Sequence, residues 1–316
     1  MANSLLKNYF GRVTRVFSLE AGRKVTSEII NIGQITPHRL YALVRLVPRL
    51  KNPRKQTIID MLQPSILVEN QSSAESVYDA ARDYGLIRVQ PDEAVVLDVE
   101  QEHIQSIDSF RRYMQHALLG VKEEHIPNYL FNLYSAWYAT QDEQVLQFSG
   151  SDYEVKFNDQ IFKGLSTNAF NSTKFNAWRP WAAFLGLGWP MKAGLSETRR
   201  EILIPDAHIR LRGILPALLP EKNEEVSFSV FAQRLAITCP ELDGGDLFEY
   251  CWDQSRGSKQ RDNNLSLMVS TGLRVLHDVG IIQLIHQRDA SSNWYLYPAE
   301  GHPVGRQVTH IVRRGV

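Results

Sequence analysis

The side chains best suited to chemistry lie between residues 256 and 288. Arg256, Lys259 and Arg261 punctuate SRGSKQRDNN, a Ser-, Gly- and Asn-rich stretch whose cations suit phosphate oxygens. Asn263, Ser266, Ser270, Arg274 and His277 recur at helical spacing, near one face of a helix read from about Leu265 to Val279. Small hydroxyls let a helix approach base edges, and arginine can bond guanine through two hydrogen bonds. Leu265, Met268, Leu276 and Val279 form the opposite, inward face. His286, Gln287 and Arg288 follow on a loop, and Arg306, Arg313 and Arg314 keep the tail basic. A second cationic edge, RLVPRLKNPRKQ at 45–56, contains Arg54 and Lys55. These residues read as contacts to double-stranded DNA.

Catalytic patterns are missing. There is no GxxxxGK[ST] phosphate loop, no GxGxxG after a strand, no GxSxG elbow and no HEXXH. His103, His116 and His125 with Glu123 and Glu124 read as solvated helix faces rather than a metal cluster. DGGD at 243–246 reads as a Gly-Gly turn, followed by a carboxylate at a helix start. Asp152, Glu154 and Lys156 mimic a nuclease D…ExK, but DYEVKF reads as a plain strand. The expectation is a protein that is not an enzyme and uses no cofactor or metal.

The bulk composition bounds the class. Of 316 residues, 43% are hydrophobic and 22% charged, so a packed core is expected, with room for two or three domains. Formal net charge is zero, which argues against a generic polycation coating nucleic acid. The balance is uneven. Residues 1–55 hold eleven basic side chains against Glu20 and Glu28, whereas 56–110 hold eleven acidic ones against Arg82 and Arg88 before FRR. Intramolecular pairing of the two blocks is favoured over two separate partner surfaces. Cys239 and Cys251 are too few for a disulfide framework and read as plain thiols. No secretory signal and no apolar run of membrane length is seen, so a cytoplasmic protein without membrane contact is expected.

The elements that must position these residues repeat. STGLRVLHDVGIIQLIHQRDASSNWYLYP (270–298) reads helix, glycine stop, strand, loop, strand. SSAESVYDAARDYGLIRVQPDEAVVLDV (72–99) repeats this, with Ser72 or Ser73 as cap and Gly85 as stop. A looser copy spans 171–207, where a helix ending in FLGLG begins near Pro180 or kinks there. Two further helices precede each copy, as in RLYALVRLVPRL with KQTIIDMLQP, and HIRLRGILPALLP with SFSVFAQRLAIT. Helix, helix, helix, hairpin is the winged-helix order, in which the third helix can enter a major groove and the hairpin is the wing.

The expected fold is therefore mainly α with small β-hairpins (α+β), arranged as tandem winged-helix-like units at about 36–100, 125–206 and 207–300. The corresponding domains are a basic amino-terminal segment with the first unit (1–105), a central aromatic-rich unit (106–206) and a carboxyl-terminal unit with a basic tail (207–316). Glu75, Asp79 and Asp83 put an acidic stripe on the third helix of the first unit, which suits a protein, or the chain's own basic amino-terminal segment, rather than phosphates. Phe175, Trp178, Trp181, Phe184 and Trp189, followed by Lys192, Arg199 and Arg200, can stack bases, but their helical spacing favours core.

The helix–Gly–hairpin units ending at Gly85 and Gly280 resemble those of multi-winged-helix accessory proteins of bacterial DNA-modification and phage-defence islands, the DpdG type. The resemblance implies a DNA-associated, protein-recruiting subunit beside an ATPase, helicase or nuclease. It carries over no functional residue. The expected function is a non-catalytic DNA-binding adaptor using the carboxyl-terminal unit. The alternatives are a pure protein-interaction scaffold and a transcription regulator.

Overall fold

The computed structural model describes residues 28–163, 170–193, 200–257, 262–290 and 292–315. A 3-10 turn (Ile29–Asn31) leads to α1 (Pro37–Leu46), α2 (Lys55–Leu62) and α3 (Ser72–Asp83), then to β1 (Ile87–Val89) and β2 (Val95–Leu97). Helices α4 (Ile107–Leu118), α5 (Tyr129–Thr140), α6 (Asp152–Phe157) and α7 (Ser172–Leu185) precede β3 (Trp189–Ala193) and β4 (Arg200–Ile204). The last stretch runs α8 (His208–Leu218), β5 (Glu225–Ser227), α9 (Phe228–Thr238), α10 (Asp246–Arg256) and α11 (Leu267–Asp278). It closes with β6 (Ile282–Ile285), β7 (Trp294–Tyr295), β8 (Gln307–Val308) and β9 (His310–Arg313). The chain is mainly helical with small antiparallel sheets, the α+β composition expected.

Three helices stop identically. Gly85, Gly186 and Gly280 follow α3, α7 and α11 in the left-handed region, with φ of 68°, 82° and 73°. In each, the next N–H reaches back five residues: Leu86 to the Ala81 carbonyl at 2.8 Å, Leu187 to Ala182 at 2.9 Å, and Ile281 to Leu276 at 2.9 Å. The glycine N–H closes the inner bond to Arg82, Ala183 or His277. This double closure satisfies carbonyls that a helix end leaves open and turns the chain straight into a strand. A hairpin follows each stop in the first two cases, β1 with β2 (Ile87↔Leu97) and β3 with β4 (Trp189↔Ile204).

The third stop differs from expectation. β6 pairs with β9 through Leu284↔Ile311, and β9 also pairs with β5 through Val226↔Ile311, giving the order β5-β9-β6. The expected return strand around 294–298 instead forms a separate two-residue ladder between β7 and β8. Ile311 and Val312 on β9 are both buried, whereas Trp294 and Tyr295 on β7 are half-buried.

Three local readings are also corrected. DYEVKF is helix α6 rather than a strand. Helix α7 begins at Ser172, capped by the Asn171 side chain, rather than near Pro180, which lies inside it. Neither Ser72 nor Ser73 caps α3: Gln71 occupies the cap position, while Asn70 Oδ1 accepts from the Ser72 N–H at 2.7 Å.

Buried side chains form one continuous cluster from Ile29 to Ile311. At its centre α5 is buried on every side from Phe131 to Thr140, and α10 packs along it. Trp178 Nε1 donates to Ser135 Oγ at 2.9 Å, and Trp181 Nε1 donates to the Ile35 carbonyl at 2.7 Å. Both indoles are therefore core with satisfied donors, as their spacing indicated. Trp189 on β3 is the exception, 55% exposed against the His208 ring.

Candidate nucleic-acid interface

Helix α11 is held at its amino-terminal end by internal carboxylates. Ser266 is its cap, accepting from the Val269 N–H. Its own N–H and hydroxyl donate to the two oxygens of Asp243, at 2.6 and 2.5 Å. The Leu267 N–H donates to Asp142 Oδ1 at 2.8 Å. Arg256 lies 4.0 Å from Asp142 and donates to the Thr140 and Gln141 carbonyls, tying the end of α10 to the end of α5. Free N–H groups at a helix start attract anions; here the protein's own acids occupy them. The DGGD turn does precede helix α10, as read, while its first aspartate does the further work of fixing α11.

The polar face expected on α11 points inward. Ser266 and Ser270 are 1% and 0% exposed, and Ser270 Oγ accepts from the Tyr297 N–H at 2.8 Å. Arg274 is buried too, and burial lowers its pKa; its Nε has no hydrogen-bond partner among the described residues. Val279, expected inside, is instead exposed. The reversal has a physical cause at Ser270: the long return from β6 to β9 passes over it and bonds it through the Tyr297 N–H. Arg256, likewise read as a phosphate contact, is half-buried and turned onto backbone carbonyls. No side chain of α11 before Asp278 is fully exposed.

What remains open lies on the strands and turns after α11. A groove of about 660 Å³ is bordered by His277, His286, Tyr295 and Arg306. The Arg306 guanidinium lies 5.6 Å over the Tyr295 ring and donates to Asn264 Oδ1 at 2.9 Å. His277 Nδ1 accepts from the Leu284 N–H at 3.1 Å, so the imidazole is oriented by the backbone of β6. Arg288 is exposed in the turn after β6. Lys259 and Arg261 lie outside the described residues, but the stretch that follows them is joined to β7. Tyr295 N–H donates to the Asn263 carbonyl, and Leu265 N–H donates to that of Tyr295. Of the tail arginines, Arg313 is buried, while Arg314 is bonded to Gln283 and Asn223. The Arg306–Tyr295 stack was not readable in the sequence, because it depends on the β7–β8 pairing.

In the first unit the two cations are engaged internally. Arg54 lies 3.5 Å from Glu93, and Lys55 lies 3.5 Å from Asp79 and over the Tyr78 ring. These pairs join the basic block to the acidic block, as the charge pattern suggested. On α3, Glu75 is exposed, while Arg82 sits between Asp79 and Asp83.

Other chemistry-bearing groups are dispersed. Asp152 accepts from the Ser149 N–H and hydroxyl, while the Lys156 ammonium lies over the Phe148 ring. Among the described residues, the one grouping of possible metal ligands is Glu100, Glu102 and His103, and no ligand group gathers His103, His116 and His125. Cys239 and Cys251 are free and buried, and burial pushes both thiols up, away from the reactive thiolate. No helix among the described residues is long and apolar enough to cross a membrane.

No curated protein and no solved structure matches the chain. The sequence model described as DpdG-like matches residues 27–290, most of the chain, and the protein accordingly belongs to the DpdG-like family.

Proposed function

We propose that this chain is a non-catalytic, DNA-binding adaptor subunit of a bacterial DNA-modification or phage-defence system. In this reading it holds duplex DNA with its carboxyl-terminal wing and recruits partner proteins with its first unit. Family membership supports the setting. The observation carrying the DNA reading is the wing groove, where Arg306 stands with Tyr295, His277 and His286 and no acidic side chain is in the lining, while Arg288 is exposed in the turn after β6. Guanidinium groups there can pair with phosphates, and the imidazoles can donate to the backbone.

The winged-helix reading rests on connectivity. α8, β5, α9, α11, β6 and β9 follow the order helix, strand, helix, helix, strand, strand, with α10 inserted, and the sheet order is first, third, second. The first unit follows the same order without its first strand. In that strand's place the Val95 N–H donates to the Pro53 carbonyl at 2.8 Å, just before α2. In this fold the wing itself can contact DNA, so an enclosed third helix is compatible with binding.

Titration of a duplex of about 25 base pairs at ~50 and ~200 mM salt tests the proposal. Three phosphate contacts should weaken affinity by roughly 40-fold across that range. Absence of salt-sensitive binding at micromolar protein would sink it. The scaffold reading is favoured by the acidic face of α3, and it predicts co-purification with an ATPase, helicase or nuclease without any DNA affinity. The non-catalytic part predicts no change in DNA incubated with the protein and Mg²⁺, Mn²⁺ or Zn²⁺. Metal-dependent cleavage lost on changing Asp152, Glu154 or Lys156 would contradict it.

A further inference from the structure

The turn between α2 and α3 exposes apolar side chains on a braced backbone. Ile66 and Leu67 are 90% and 76% exposed, with Met61 and Val68 beside them. The turn is held by its own Leu67 N–H to the Pro64 carbonyl at 2.9 Å. Gln63 and Gln71 brace it further. Gln63 accepts from the Ala74 N–H and donates to the Asn70 carbonyl, and Gln71 donates to Asp60 and to the Gln63 carbonyl. Three consecutive exposed apolar side chains, Ile66 to Val68, on a fixed turn are a docking feature rather than a scattered surface leucine. It adjoins the acidic face of α3, and residues 56–83 hold five carboxylates against Arg82 alone.

We propose that this surface holds the chain's own amino-terminal segment, residues 1–27, laid along α3. The complement is written in the sequence: residues 1–27 carry five basic side chains against Glu20 alone. Leu6, Phe10, Val13 and Phe17 recur at i, i+4, i+7 and i+11, one apolar stripe if helical, with Lys7, Arg12 and Arg15 off it. The reach also fits. Ile29 N–H and the Tyr84 hydroxyl both donate to Asn128 Oδ1, at 3.1 and 2.9 Å, so the described chain starts beside the carboxyl-terminal end of α3. The exposed turn lies at the other end of that helix, about 18 Å away along twelve residues. Glu28 lies eleven positions after Phe17, a span of about 16 Å if helical and about 36 Å if extended. Residues 6–17 therefore arrive at Ile66 and Leu67 with their cations beside Glu69, Glu75 and Asp79. This inference stands whether or not the wing holds DNA.

Photo-cross-linking in the full chain tests it, with p-benzoylphenylalanine at position 67, where the exposed leucine tolerates replacement. The expected product is an intramolecular cross-link to residues 5–17 whose yield is unchanged on tenfold dilution. Its yield falls at least about fivefold when Glu75→Lys and Asp79→Lys are added, because opposed charges that attracted now repel. Cross-linked dimers, cross-links to another part of the chain, no cross-link, or a yield indifferent to the charge reversal would each overturn the proposal. Hydrogen exchange gives an independent readout without the probe. Amides of residues 6–17 should exchange more slowly in the unmodified chain than in the Glu75→Lys/Asp79→Lys variant, and equal rates would contradict the docking.

Discussion

Aligned on their glycine stops, α3 and α11 place Glu75 opposite Ser270, Asp79 opposite Arg274, and Asp83 opposite Asp278. The same backbone positions face water in the first helix and mostly the interior in the second. Ala81 and Leu276 accept the same closing hydrogen bond, so the local code of the stop is shared. What differs is the cover. Asp243, Asp142 and the return from β6 to β9 close over α11, whereas nothing among the described residues closes over Glu75. A short sequence pattern thus fixes how a helix ends and where the chain turns. Which face it leaves open is decided by segments far away in sequence.

The largest expected effect separates the stops themselves. A Cβ at Gly186 would lie 2.5 Å from Ile209 Cβ and 2.6 Å from the Arg210 nitrogen, while one at Gly85 or Gly280 meets nothing within 4 Å. Gly186→Ala should therefore cost about 3–5 kcal/mol in urea unfolding, from overpacking added to left-handed strain. Gly85→Ala and Gly280→Ala should each cost about 1 kcal/mol, from strain alone. Equal losses at all three would erase the distinction between a stop that only turns the chain and one that also seats a neighbouring helix.

Next comes the difference in cover. Asp243→Ala strips two buried donors of Ser266 of their acceptor and should cost about 2–3 kcal/mol. Glu75→Ala on the open helix should change stability by less than about 0.5 kcal/mol. Comparable losses would mean that α3 is as enclosed as α11.

A smaller effect is set by pH. Burial, then Arg210, lowers the pKa of His116 on α4 below the ordinary histidine value of 6.5. The unfolded chain therefore binds a proton there that the folded chain refuses. Stability from this site rises as pH climbs through the window below 6.5 and is complete above it. Replacing His116 with Leu should flatten the dependence of the unfolding midpoint between about pH 5 and 7. An unchanged slope would remove His116 as its source.

Much of the architecture is legible in the sequence, for a local reason. Caps, glycine stops and apolar spacing act over a few residues, so α1, α2, α3, α8 and α9 and the hairpin β1–β2 fall where the pattern puts them. The unreadable parts are long-range. Ser266, Ser270 and Arg274 look like a solvated face because their side chains are polar, and only Asp243 and Tyr297, 23 and 27 residues away, reveal them as internal partners. The strand that completes β6 begins 25 residues after it ends, beyond a nearer apolar run. DYEVKF misleads because its alternation also fits a short helix packing Tyr153 and Phe157 inward.

The proposed division of labour has DNA held by the wing of the last unit and not by the first. Anisotropy titration of a fluorescent duplex at two salt concentrations tests it most directly, comparing the unmodified chain with Arg288→Glu/Arg306→Glu and Arg54→Glu/Lys55→Glu. The account predicts that the wing pair loses at least about tenfold in affinity and about two units of salt slope, while the first-unit pair stays within about twofold. Loss of binding from Arg54→Glu/Lys55→Glu with the wing variant unaffected would contradict it.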